Sequence, residues 1–113
     1  MMNIKNFRQE IDTLDEILVQ TLAKRFDLCK QIAIYKSQVG MPMMQPERVK
    51  EVKERCSRIG EKHGLDAEFT RRLYGLIINE TCELEDRLMQ SFKQENQKPN
   101  RSDSLSKPIF SSN

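Results

Sequence analysis

The sequence predicts an all-α chain of three helices, the first much longer than the other two. Three observations carry this expectation. Ile4, Phe7, Ile11, Leu14, Leu18, Leu22, Arg25, Cys29, Ile32 and Lys36 recur at steps of three and four, the spacing of a single helical face. Helix breakers punctuate the chain in two short stretches, "GMPMMQPERV" and "GEKHGL". The 113 residues are 37% hydrophobic and 32% charged, with no Trp, a composition that suits a small helical domain better than a β-protein.

The first helix is expected to begin near Asn6, where Asn6 and Gln9 fit a capping box. It meets no Gly or Pro until Gly40 and Pro42, which end it after about 50 Å. Pro46 fits the first turn of a second helix, with Gln45 or a neighbour as a weak cap. That helix carries Val49, Val52, Cys56 and Ile59 to about Gly60. Asp66 is placed to cap a third helix, and Glu68 sits in its first turn, where the helix dipole favours negative charge. Phe69, Leu73, Leu76, Ile77, Leu84 and Leu88 carry it to about residue 90. Residues 1–92 form the expected domain. Residues 93–113, polar and rich in Pro, Ser and Asn, read as a disordered tail in which Ile109 and Phe110 are the apolar exception.

A first helix of this length outruns what two short helices of the same chain can cover, yet its apolar stripe needs burial. The simplest cover is a second copy of the chain in a two-fold dimer.

Several function classes fall away. The three cysteines, Cys29, Cys56 and Cys82, are far apart and form no CxxC pair or disulfide framework. His63 is the only histidine, and no ligand spacing surrounds it, so a histidine-based metal site and a Cys–His nucleophile pair, which would both rest on it, are set aside. No cofactor and no metal are expected. No apolar run approaches the roughly 20 residues needed to span a bilayer, and there is no signal segment, so no membrane partner is expected and the default location is the cytoplasm. The net charge is +2, all of it in residues 93–113, and residues 1–92 balance. That leaves no basic field for nucleic acid.

The unusual feature is where some cations fall. Arg25 and Lys36 share the stripe of Leu22, Cys29 and Ile32. Eleven residues apart, they point within about 20° of each other and lie about 16 Å apart along the axis. Arg8 lies roughly 100° around from Arg25, and Arg48 opens the second helix. Any one of these, taken alone, reads as a snorkelling or paired surface cation. Several together inside a bundle imply a bound anion, because unpaired buried charge is costly. Arg suits a carboxylate, which it meets with two parallel hydrogen bonds. On the third helix Thr81 and Glu85 stand one turn apart, on the flank of Tyr74 and Ile78. A buried Glu85 would have a raised pKa and, once protonated, could donate a hydrogen bond.

The segments "FRQEIDTLDEILVQTLAKRFDLCKQIAIYKSQ", "PERV" and "HGLDAEFTRRLYGLIINETCELEDRL" together resemble the all-helical chorismate mutase family over about residues 4–90. The spacing of Arg8, Arg25, Lys36 and Arg48 is similar to the four cations of that family. The resemblance implies an intertwined homodimer of three-helix chains, with active sites among helices of both chains. The implied reaction is the Claisen rearrangement of chorismate to prephenate. By the same resemblance, Arg25 grips one substrate carboxylate and Arg8 reaches in from the other subunit to grip the second. Lys36 donates to the ether oxygen and a carboxylate. Arg48 supports the substrate at the mouth, Gln45 contacts the ring substituent through its backbone, and Thr81 assists a carboxylate.

Such a reaction is unimolecular and needs no nucleophile, metal or proton transfer. It needs a flexible side arm held over the ring and stabilisation of the charge that builds on the ether oxygen. Two positions differ from the family pattern. Val49 stands where relatives often carry Glu, and Glu85 stands where many carry a Gln that donates to the ether oxygen. "PMMQPERV" and "ETCELED" look most like a specialised-metabolism branch, some of whose members rearrange 4-amino-4-deoxychorismate. The alternatives to chorismate mutation are therefore that activity, pyruvate elimination from isochorismate, and a non-catalytic helical dimer module.

Overall fold

Three helices make up the described part of the chain: α1 (Ile4–Val39), α2 (Pro46–Lys62) and α3 (Ala67–Gln97). The computed structural model describes residues 3–42 and 44–97.

α1 starts one turn earlier than the sequence suggests. Asn3, not Asn6, is the N-cap: its side chain accepts from the Asn6 amide at 3.0 Å, and the Asn6 side chain accepts in return from the Asn3 amide at 3.1 Å. Asn6 thus fills the third helical position of the box, where a side-chain oxygen can reach back to the cap. The 36 residues of α1 extend about 54 Å. The helix ends as expected at Gly40, whose φ of 73° is the left-handed conformation that glycine adopts without a Cβ clash.

Pro46 opens α2 in its first turn. Gln45 precedes it in extended conformation and makes no capping hydrogen bond with its side chain. α2 passes through Gly60, the expected stop, and runs to Lys62. Gly60 is a packing residue instead: a Cβ there would lie 2.7 Å from Oγ1 of the buried Thr70 on α3. The reversal falls on Gly64, with φ 86°.

Asp66 caps α3, its carboxylate accepting from the Phe69 amide at 2.9 Å, and Glu68 occupies the first turn. α3 continues past the end expected near residue 90, so residues 93–97 are helical and not tail. Lys93, Gln94, Glu95 and Gln97 are sound helix formers, and the next breaker is Pro99. The rest of the expected tail, including Ile109 and Phe110, lies outside the described residues.

α3 is the element against which both α1 and α2 pack. The result is long and thin, 67 × 34 × 15 Å. Its radius of gyration is 19.1 Å, against about 13 Å for a compact chain of this length. The only apolar side chains fully buried among the described residues are Ala33 and Val52. The N-terminal half of the α1 stripe stays open within one chain: Leu14 is 63% and Leu18 66% exposed. Leu22 leaves the line of Arg25 and Lys36 and joins Val19, Phe26 and Leu84 in a separate groove of about 440 Å³ between α1 and α3. No helix among the described residues is long and apolar enough to cross a membrane.

Candidate active site

The C-terminal half of α1, the connector, the first turns of α2 and the middle of α3 enclose a cleft of about 330 Å³. Helical repeats dictate which side chains reach it. Arg25, Cys29, Ile32 and Lys36 step down one face of α1, and Ile78, Thr81, Cys82 and Glu85 step along α3. The connector and α2 add Met41, Met44, Gln45, Arg48, Val49 and Val52. Six of the seven sequence-predicted site residues therefore line one cavity: Arg25, Lys36, Gln45, Arg48, Thr81 and Glu85.

Arg8 does not join them within its own chain. It is exposed on α1, and the seventeen residues separating it from Arg25 correspond to about 25 Å of helix.

Arg25 is half-buried and makes no ion pair among the described residues. Its guanidinium rests over the Tyr74 ring, 5.8 Å from the centroid, and Nη1 lies 4.0 Å from Cys29 Sγ. Neither neighbour neutralises its charge. Lys36 Nζ stands 4.0 Å from Glu85 Oε1, and both side chains are largely enclosed, at 14% and 8% exposure. That separation exceeds a direct hydrogen bond. Burial pushes the Glu85 carboxyl above its ordinary range; Lys36 pulls it back and Asp86 adds to the rise. Thr81 is buried and donates its hydroxyl to the Ile78 carbonyl at 2.8 Å, so donation elsewhere requires that bond to turn. Arg48 is exposed at the rim and pairs with Glu51, three residues on.

The cleft also holds residues that sequence reasoning set aside. Cys29 and Cys82 line it, and burial raises both thiols. Thiols raised in this way stay protonated near neutral pH and are poor nucleophiles. Their helical positions, four after Arg25 and one after Thr81, were the available signal. Among the described residues no group of three or more His, Cys, Asp or Glu side chains could hold a metal ion.

Three cations, a carboxyl whose pKa burial raises and a hydroxyl thus converge on one small space. Such a set can grip carboxylates and meet a developing negative charge with N–H and O–H donors. Residues 7–86 match the family model described as chorismate mutase type II. The chain belongs to the chorismate mutase type II family. The matched segment begins one residue before Arg8 and ends one residue after Glu85. As a chorismate mutase-type protein the chain is an isomerase. It is 48% identical over 86 residues to the 4-amino-4-deoxychorismate mutase of Streptomyces venezuelae, covering 76% of this chain and 84% of that protein. It is 40% identical over 84 residues to the protein of the same name from Streptomyces pristinaespiralis, covering 74% of this chain and 65% of that one, a little under two thirds. The chorismate mutase of Methanocaldococcus jannaschii is 25% identical over 95 residues, 84% of this chain and 96% of that protein.

Proposed function

We propose that the protein rearranges 4-amino-4-deoxychorismate to 4-amino-4-deoxyprephenate, acting as a homodimer. The observation that carries the chemistry is the convergence of Arg25, Lys36, Arg48, Thr81 and Glu85 on one cleft. The choice of substrate over chorismate draws on the two relatives bearing that name. Val49 puts an apolar side chain in the cleft and offers no acceptor to a C4 hydroxyl or a C4 ammonium, so it does not choose between the two substrates. Recognition at C4 then rests on the backbone at Gln45.

In this reading Arg25 clasps one carboxylate through paired N–H donors, and Thr81 assists once its hydroxyl swings away from Ile78. Arg8 of the partner subunit clasps the second carboxylate. Its distance from the cleft in its own chain, and the open apolar stripe of α1, are what support an intertwined pairing. Both carboxylates held, the enolpyruvyl arm is folded over the ring, and the entropic part of the barrier falls. As the C–O bond breaks, negative charge gathers on the ether oxygen. Lys36 and protonated Glu85, whose polar atoms stand 4.0 Å apart, both donate to it from one side. Arg48 leaves Glu51 to close the mouth.

The test sets 4-amino-4-deoxychorismate, chorismate and isochorismate side by side, with products resolved by chromatography. The expected result is rearrangement of the amino substrate with kcat/KM at least about tenfold above that for chorismate. Preference for chorismate would overturn the substrate assignment. Release of pyruvate from isochorismate alone would make the protein a lyase, and no turnover of any of them would make it a binding module.

A further inference from the structure

We infer that Tyr74 is a positioning residue for Arg25, holding the guanidinium from behind so that its N–H edge stays free for a substrate carboxylate. The inference rests on the role proposed for Arg25 above.

Arg25 needs a support that does not consume it. A carboxylate partner would fix the guanidinium but would also neutralise it and occupy its donors. A ring face attracts the cation through its quadrupole and takes up none of the in-plane N–H bonds. That is the arrangement present: the guanidinium carbon lies over Tyr74 at 5.8 Å, and among the described residues no ion pair competes. Its other polar neighbour, Cys29 Sγ at 4.0 Å, is a weak acceptor.

Tyr74 is well placed to be such a support. It is half-buried on α3 and does not line the cleft itself. Positions 74, 78, 81 and 85 follow steps of four, three and four. The repeat that delivers Ile78, Thr81 and Glu85 to the cavity therefore also brings Tyr74 to α1, one level below them. Cys56 on α2 neighbours its phenol. Burial, followed by that contact, raises the phenol pKa, and the ring stays neutral under ordinary conditions. Tyr74 thus backs a cation of the cleft that, among the described residues, makes no ion pair.

The experiment varies the ring's electrostatics at nearly constant shape. Tyr74 is replaced site-specifically by Phe and then by mono-, di- and trifluorinated phenylalanines, which progressively weaken cation attraction. The expected result is Phe within about threefold of the native enzyme, then a stepwise fall in kcat/KM reaching about tenfold at the trifluoro variant. Helicity and thermal midpoint should not change along the series. A flat series would overturn the inference, because a purely structural ring tolerates fluorine. Arg25→Ala is run in parallel. If it is inactive while the fluorine series is flat, only the role of Tyr74 falls. If Arg25→Ala turns over normally, the reading of the cleft itself falls.

Discussion

Arg25→Ala is expected to lower kcat/KM by about 10² to 10³-fold or more while leaving helical content intact, an effect on the scale of losing one preorganised electrostatic contact in the transition state. The two readouts separate because of how Arg25 is held. It is half-buried, and among the described residues it makes no ion pair, so its removal strands no buried carboxylate. What the fold loses is the stacking on Tyr74 and the packing of the aliphatic stem, about 1 kcal/mol. What catalysis loses, on the proposed role of Arg25, is the fork that orients a substrate carboxylate. Arg25→Lys keeps the charge but not the paired geometry, so its rate should fall between the two. Loss of substrate ultraviolet absorbance measures the rate, and circular dichroism measures helicity. An unchanged rate for the Ala variant would remove Arg25 from the site.

Glu85 supplies the second large effect, seen against pH. A carboxyl can donate to the ether oxygen only when protonated. Burial already raises its pKa, against the pull of Lys36 4.0 Å away. Two substrate carboxylates nearby raise it further, because like charges disfavour ionisation. Activity should therefore be greatest on the acid side and fall as pH rises. Above the pKa of the loaded site it should drop about tenfold per pH unit. Glu85→Gln donates at any pH, so its profile should be flat, and it should outpace the native enzyme at alkaline pH.

Stability should follow the same sign. The folded carboxyl binds its proton more tightly than the unfolded one, so Glu85 costs nothing below its unfolded pKa. Stability is lost as pH climbs from there through the folded pKa. The stability advantage of Glu85→Gln should accordingly open with rising pH in denaturant titrations. A native pH–rate profile that stays flat from acid to neutral would end the donor role of Glu85.

The elements and the site differ in how much of them the sequence made legible. Angular position around a helix follows from residue spacing alone. Arg25 and Lys36 on α1, and Thr81 and Glu85 on α3, could therefore be assigned to common faces, and those faces do meet in one cleft. Boundaries depended on finer chemistry. Asn3 outcompeted Asn6 as the cap because Asn6 serves better as its reciprocal partner. Gly60 looked like a stop but exists for the close approach of Thr70, which no single-chain pattern displays. The polar end of α3 read as tail because it has no apolar periodicity, yet its residues favour helix. Contacts across helices were out of reach altogether. The Lys36–Glu85 gap, the Thr81 hydroxyl turned to Ile78, and the ring beneath Arg25 all depend on interhelical distance and rotamer, which packing sets.

The central claim is that each site is completed by two chains, with Arg25 from one and Arg8 from the other. The most direct measurement uses a heterodimer of Arg8→Ala and Arg25→Ala chains, co-expressed with different tags and purified through both. Each homodimer should be inactive. In the heterodimer one site carries both substitutions and the other carries neither, so about half the native activity should return. A heterodimer as inactive as its parents would show that the two arginines do not serve one site from opposite chains.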